Sequence, residues 1–295
     1  MARTTGYSCV RMLDTIEKHL FLEGIFMKYG YDFRQYAESS LNRRLTAIQD
    51  RFRSESLLEI LKKILDSNEA FREILPILTI NTTEFFRDPS FFRALRETVL
   101  PMLKTYPRIQ VWSAGCSTGE ELLSLAMMFK EEGLYDRSTI YATDINPVVL
   151  KRAKDAIYDH STIQQFNKNY AAAGGSKSPS EYYTADYGLV RFAPDLLDNV
   201  VFSEHNLATD AVFVEAHLIL CRNVLIYFTR DLQNRALHLF SQSLIYRGFL
   251  GLGSKESMRF STVAPYFDTL DSAQRLYRLK ARPILLNDGH GASTP

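Results

Sequence analysis

The stretch Gln110-Val-Trp-Ser-Ala-Gly-Cys-Ser-Thr-Gly-Glu-Glu121 joins a short apolar strand to the start of a helix through two glycines. Ile109, Val111 and Trp112 lead into Gly115, and Gly119 follows four residues later. Leu122, Leu123, Leu125, Ala126 and Phe129 then recur at helical spacing. A strand that turns into a helix at a glycine offers a ligand bare backbone and unpaired helix N–H groups. The spacing matches neither the dinucleotide GxGxxG fingerprint nor a P-loop, because no Lys-Ser/Thr pair follows Gly119. Such a turn suits a ligand without a pyrophosphate.

Strand and helix signals alternate beyond this turn. Residues 109–114 predict a strand, 118–132 a helix, 139–143 a strand, and 147–158 a helix with proline in its first turn. That alternation implies an α/β domain, a parallel sheet flanked by helices. Asp144, in Tyr141-Ala-Thr-Asp-Ile-Asn146, ends the second strand. An acid roughly 20–25 residues past a glycine turn is placed to accept both hydroxyls of a ribose. With Glu120 or Glu121 beside the turn, the pattern points to S-adenosylmethionine, an adenosine without phosphates whose sulfonium and ammonium are cationic. Two later strand ends reach the same edge of the sheet: His205-Asn-Leu207, and Cys221-Arg-Asn-Val-Leu-Ile-Tyr-Phe228, which presents Asn223 and Tyr227.

The alternation stops over 159–199. Residues 171–180 read as small and flexible, and 181–184 and 188–192 as short exposed strands, which predicts an inserted antiparallel lobe. The core resumes with strands at 200–203 and 217–221, a long helix over 229–246, a strand at 249–253 and a final strand within 269–280.

Residues 10–78 predict helices throughout. Leu13, Ile16, Leu20, Phe21 and Ile25 repeat at three and four, and Gly30 closes that helix. Further helices are expected over 33–52, 56–65 and 69–78. The second carries Arg34, Arg43, Arg44, Arg51 and Arg53 against Glu38 and Asp50. Arg44 and Arg51, seven apart, are expected on one face, either as a solvated surface or as a dock for an acidic helical partner. Thr79-Ile-Asn-Thr-Thr-Glu-Phe-Phe-Arg-Asp88 breaks the pattern before a helix over 89–106. It reads either as a packed connection or as a ligand-contacting segment using Asn81, Thr83 and Arg87.

A net charge of +1 leaves no global field to favour nucleic acid or membrane. No run of about 18 apolar residues is present to span a bilayer, and no secretory signal is expected at Met1 to Cys9. Cys9, Cys116 and Cys221 are odd in number and form no CxxC pair, which argues against a disulfide framework or a zinc cluster. His205, His217 and His238 lack metal-ligand spacing, so no metal is expected. A cytoplasmic setting follows as the expectation. The Gly/Ser/Pro-rich 286–295 is expected to be a flexible tail.

Asn-Thr-Thr-Glu-Phe-Phe-Arg-Asp88, Ser113-Ala-Gly-Cys-Ser-Thr-Gly-Glu-Glu121, Ala142-Thr-Asp-Ile-Asn146, His205-Asn-Leu207 and Cys221-Arg-Asn-Val-Leu-Ile-Tyr-Phe228 occur in this order. Together they resemble the CheR-type chemotaxis receptor methyltransferases, over roughly Val10 to Lys280. The resemblance implies an all-helical N-terminal domain over 1–78 and a linker over 79–90 that contributes to the cofactor site. It also implies a Rossmann-like class I S-adenosylmethionine methyltransferase domain over 91–285, with a small antiparallel β-subdomain inserted at about 159–199. The implied activity is methylation of glutamate side chains on chemoreceptor helices, giving glutamyl methyl esters and S-adenosylhomocysteine.

Family binding roles fall on Asn81, Thr83, Arg87, Glu120, Asp144, Asn206, Leu207, Asn223 and Val224, with Gly115 at the turn. Arg87 and Tyr227 match the residues closest to the chemistry. The glutamate-bearing receptor helices would meet Arg43, Arg44, Arg51 and Arg53, and a receptor's C-terminal peptide would add a strand to the β-subdomain. No nucleic acid and no membrane insertion are implied, and a monomer is expected. Two motifs depart from the family: Leu122-Leu123 stands where Pro-Tyr is common, and Gly253-Ser-Lys-Glu256 where Gly-His-Ser-Glu is common. Both are expected to alter rim and packing rather than ligand set. The competing readings are a non-catalytic cofactor-sensing module and a methyltransferase for a receptor-like protein outside chemotaxis. An amino-group methyltransferase would carry Asn/Asp-Pro-Pro-Tyr/Phe where this chain has Asn223-Val-Leu-Ile226.

Overall fold

Four helices open the structure, a computed structural model that describes residues 4–283; the tail expected over 286–295 lies outside the described residues. They are α1 (Thr4–Tyr29), α2 (Glu38–Phe52), α3 (Leu57–Asp66) and α4 (Asn68–Leu78). Phe21, Ile25, Phe33, Ile48, Ile60 and Ile74 pack into a core of their own. The second helix starts at Glu38, not at residue 33. Asp32 holds the entry by accepting the Arg34 backbone N–H and its guanidinium. Residues 35–37 then run extended along 227–229: the Ala37 N–H donates to the Tyr227 carbonyl (2.7 Å) and the Thr229 N–H to the Gln35 carbonyl (2.9 Å). A helix there would forfeit those bonds.

The helix expected over 89–106 is broken into α5 (Pro89–Ala94), a π-turn (Leu95–Val99) and α6 (Leu100–Leu103). Pro101 has no N–H for the carbonyl four residues back, and the widened turn sits immediately before it. The sheet domain follows as β1 (Ile109–Ala114), α7 (Glu120–Glu131), β2 (Ser138–Asp144) and α8 (Pro147–Asp155). The insertion comprises β3 (Ile157–Asp159), α9 (Thr162–Ala172), β4 (Tyr183–Asp186) and β5 (Leu189–Phe192). The chain returns with β6 (Val200–Glu204), β7 (Ala216–Cys221), α10 (Arg230–Ser243), β8 (Leu244–Leu252), β9 (Phe267–Asp271) and β10 (Leu276–Leu279). The helix expected to reach residue 246 stops at Ser243, because Leu244 already pairs with Ala216. The expected final strand is a hairpin, β9–β10.

The large sheet runs β6-β2-β1-β7-β8-β10-β9, with β10 antiparallel to β8 and β9 antiparallel to β10. Strand order reverses between β1 and β7, so the carboxyl ends of β2, β1 and β7 open a crevice, the usual ligand position in such sheets. Neighbouring β1 residues face opposite sides, as a period of two requires. Val111 packs with α7 through Leu122, Leu125 and Phe129, and Trp112 with α10 through Leu237 and Phe240. Leu122 and Leu123, which stand where the family often has Pro-Tyr, are both fully buried in this packing.

The insertion is a three-stranded antiparallel sheet, β3-β5-β4, as expected, but helix α9 was not anticipated. Its Phe166 and Tyr170 are buried among Phe86, Phe192 and Tyr182. The Ala/Gly-rich stretch after it is mostly exposed, but it packs at Ala173 and Gly175. A side chain at Gly175 would put its Cβ 2.2 Å from the Tyr170 ring, so only glycine lets the chain cross that ring. Among the described residues no helix is long and apolar enough to cross a membrane.

Candidate functional site

The β1–α7 turn is held from β2. The Gly115 and Cys116 N–H groups both donate to the Thr143 carbonyl (2.8 and 2.9 Å). The Ser117 and Asn146 N–H groups donate to the two Asp144 carboxylate oxygens (2.9 and 3.0 Å). Gly115 and Gly119 have φ of 76° and 95°, the left-handed region that favours glycine. A Cβ on Gly115 would lie 2.5 Å from Val224 Cγ2, and one on Gly119 2.8 Å from Ala153 Cβ. The first glycine admits the β7 loop and the second seats α8. Burial pushes the Asp144 carboxyl up from its usual value, and the backbone donors around it pull the other way.

A cavity, open to solvent on one side, lies over this turn. The linker supplies Asn81, Thr83 and Arg87 to its wall; the turn supplies Gly115, Cys116 and Ser117. Asp144, Asn206, Leu207, Asn223, Val224 and Tyr227 complete the residues expected there.

Glu120 does not line the cavity; Glu121 does. Adjacent helix positions are rotated by about 100°, so only one of the pair can face the ligand side. Glu120 instead accepts the Thr118 hydroxyl at 2.6 Å, and burial pushes its carboxyl up. Two adjacent identical residues carry no sequence signal for that choice.

Two buried charged groups brace the wall, and neither was expected. Arg222 donates through Nη1 to Glu121 (2.8 Å) and through Nη2 to Asp88 (2.8 Å) and the Arg87 carbonyl (3.0 Å). Its guanidinium lies 4.1 Å from the Phe91 ring centre. One side chain thus ties the end of β7 to α7 and to the linker that carries Arg87. The Glu256 carboxylate accepts the N–H groups of Asn223 (3.0 Å), Val224 (2.9 Å), Ile226 (3.3 Å) and Gly253 (2.6 Å). It holds the 223–226 loop in place, with Asn223 at φ 62°. Burial pushes the Glu256 carboxyl up, against the pull of these donors. The tetrad Gly253-Ser-Lys-Glu256 was the available signal. Its departures, Ser254 and Lys255, are exposed, and its glutamate carries the contacts.

Arg44 is the largest correction. It was expected on an exposed basic face with Arg43, Arg51 and Arg53; those three are exposed, but Arg44 is only 4% exposed and lines the cavity. Seven residues is close to two turns, yet Arg44 sits where α2 meets the sheet domain while Arg51 reaches solvent and pairs with Glu73. The Arg44 Nη1 donates to the Leu78 carbonyl, and its guanidinium lies 5.1 Å from the Tyr227 ring and 5.4 Å from the Tyr36 ring. Tyr36 and His205 also line the cavity. Burial holds the His205 imidazole below its usual value, so it is the neutral ring that faces the site.

Several buried polar atoms on this wall have no protein partner: Ser117 Oγ, Asn223 Oδ1, His205 Nδ1, and Arg44 Nε and Nη2. Buried polar groups are rarely left so, and a polar ligand would satisfy them. A hydroxyl, an amide oxygen and two carboxylates, Asp144 and Glu121, fit an adenosyl group joined to a cationic amino-acid chain.

Residues 81–275 match the model for the CheR methyltransferase, SAM binding domain. The chain belongs to the CheR methyltransferase family. The chain is similar to the Pseudomonas putida protein Cher3, whose name marks it provisionally as a methyltransferase: 49% identity covers 89% of this chain and 96% of that one. It is 30% identical to the chemotaxis protein methyltransferase of Listeria monocytogenes, over 84% of this chain and 93% of that one. It is likewise 30% identical to chemotaxis protein methyltransferase 1 of Vibrio cholerae, over 77% and 82%. This CheR-family chain is therefore an S-adenosylmethionine-dependent methyltransferase, with a seven-stranded Rossmann-like sheet, a helical N-terminal region and a small antiparallel sheet.

Proposed function

We propose that this enzyme methylates glutamate side chains on the cytoplasmic helices of chemoreceptors, giving methyl esters in chemotaxis adaptation. The observation that carries the reading is that two guanidinium groups, Arg87 and Arg44, line the same cavity as Tyr227, with Arg44 5.1 Å from the Tyr227 ring. A cationic wall beside the cofactor turn suits a carboxylate acceptor. The relatives named as chemotaxis methyltransferases support the receptor as its source. The protein acts in the cytoplasm as a monomer. Of the described residues, those up to 78 form the receptor-facing helical domain, 79–90 the linker and those from 91 the transferase.

The methyl carbon of bound S-adenosylmethionine is the electrophile, and its transfer to a carboxylate forms a C–O bond as the C–S bond breaks, with no proton to move. A free glutamate, with a pKa of about 4.3, is already ionised at neutral pH, so no general base is required. The chain's work is positioning and water exclusion. Asn81, Thr83, Gly115, Asp144, Asn206, Leu207, Asn223 and Val224 hold the cofactor, with Glu121 taking the role expected of Glu120. Arg87 donates one N–H to the Thr82 carbonyl at 3.3 Å, and its remaining donors can orient the acceptor. Tyr227, under the Arg44 guanidinium, borders the path between acceptor and methyl group.

The test is methyl transfer from labelled S-adenosylmethionine to a receptor cytoplasmic fragment, read as a base-labile ester. Asp144→Ala is expected to lose cofactor affinity in calorimetry, and Arg87→Ala to lose turnover more than affinity. Equal affinity losses in the two variants would sink this division of roles. Cofactor binding without transfer to any receptor would leave a sensing module instead.

A further inference from the structure

Outside the cavity, Phe260 is 79% exposed. It sits on the loop that follows β8, the loop whose Glu256 grips Asn223, Val224 and Ile226. Two guanidinium groups flank its ring, Arg230 at 5.9 Å and Arg259 at 5.8 Å from the centre. Lys255, on the same loop, is exposed as well. The neighbouring acids in sequence are Glu256, which is buried, and Asp231, so three exposed cations, Arg230, Lys255 and Arg259, stand against one exposed carboxylate.

The patch is tied to the mouth of the site. Arg230 is the first residue of α10, three residues past Tyr227. The intervening segment 227–229 is hydrogen-bonded on its own account to 35–37, which lead directly into α2. Tyr227 is therefore bonded on one side to the segment that leads into α2, and the residues just before it are held through Glu256 by the Phe260 loop.

We propose that Phe260, with Arg230 and Arg259, is a second docking point for the acidic helical substrate, gripping the helix beside the glutamate being methylated. The inference rests on the proposed reading of the substrate as a glutamate-bearing helix. An exposed phenylalanine is apolar surface that water does not favour, and the two guanidinium groups lie within cation–π range of its ring. An aromatic ringed by arginines matches the side-chain types that anchor protein interfaces. Lone carboxylates along a helix flank would pair with Arg230 and Arg259 while an apolar position meets the ring. Helical spacing of three or four places such side chains on one face. Phe260, Arg230 and Arg259 do not line the cavity, so these three side chains act on substrate capture and leave cofactor binding to the Glu256 end of the loop.

The test compares the full-length enzyme with Phe260→Ala and with Arg259→Glu, both surface changes. Methyl transfer to a receptor cytoplasmic fragment gives KM and kcat, and calorimetry gives S-adenosylmethionine affinity. KM for the fragment is expected to rise about tenfold in each variant, with kcat and cofactor affinity unchanged; a factor of ten is the usual loss for one interface anchor. The Arg259→Glu effect is expected to shrink with added salt and that of Phe260→Ala to persist. If the unaltered enzyme methylates the fragment and both variants keep its KM, the docking point is refuted and the receptor reading stands. If the unaltered enzyme methylates no receptor fragment, the receptor reading falls first and takes this proposal with it.

Discussion

The floor and the roof of the cavity are built by different means. The floor is the β1–α7 turn, Asp144 and the 223–226 loop, held by backbone N–H groups that donate to the Thr143 carbonyl and to the buried Asp144 and Glu256 carboxylates. The roof is Tyr36 and Arg44, brought from the helical region by two backbone hydrogen bonds and by stacking over Tyr227. The floor is fixed by hydrogen bonds among strand-end segments of the one sheet domain. The roof exists only because one part of the chain docks on another. Substitutions on the floor are therefore expected to act on stability and cofactor affinity, and substitutions on the roof on acceptor handling.

The largest expected effect tests how the floor is tied together. Arg222→Ala leaves Glu121 and Asp88 without their shared cation, and breaking a buried pair costs about 3–5 kcal/mol. A large fall in thermal midpoint should show it; a loss under about 1 kcal/mol would mean the brace is dispensable. Glu256→Gln comes next. It removes the charge that four backbone donors share and turns an amide NH₂ toward them, at a cost of about 1–3 kcal/mol with weaker S-adenosylmethionine binding. Unchanged cofactor affinity would detach the 223–226 loop from the cofactor site.

The pH response of the floor has a definite sign. Burial raises the folded-state pKa of Asp144 above its unfolded value. Its titration thus favours the folded state below the unfolded pKa, and that contribution is lost as pH rises through the folded pKa. Cofactor binding needs the ionised form and runs the opposite way. On acidification, S-adenosylmethionine affinity should start to fall above the pH at which an ordinary aspartate protonates, approaching tenfold per pH unit. Asp144→Asn should bind weakly with a flatter profile in calorimetry; the same slope in both proteins would place the titrating group elsewhere.

The smallest effects separate roof from surface. Arg44→Ala is expected to lower methyl transfer severalfold with little change in cofactor affinity. Arg51→Ala, whose partner Glu73 is as exposed as itself, should change stability by no more than about 1 kcal/mol. Equal effects of the two on transfer would restore Arg44 to a uniform basic face.

Much of the floor was legible in the sequence. The two glycines, Asp144, Asn206 and Asn223 sit at strand ends, and a strand end in an alternating α/β pattern has only one edge of the sheet to reach. The Glu120–Glu121 choice was not legible, because it turns on the phase of a helix whose start the motif does not mark. Helix α9 was missed because Ala and Gly dominate the segment after it, and their packing against Tyr170 is a contact with no local signature.

By itself, the sequence determined the order of the elements, the parallel sheet, the cofactor class and most of the cavity floor. Those features follow from periodicity and turn chemistry within a dozen residues of one another. Only the tertiary structure decided which arginine of α2 is buried, that Arg222 joins α7 to the linker, that Glu256 grips a loop some thirty residues earlier in the chain, and that Phe260 stands exposed between two arginines. Each of these depends on distances between segments far apart in sequence, and pairing a buried charge is a three-dimensional requirement that no local pattern records.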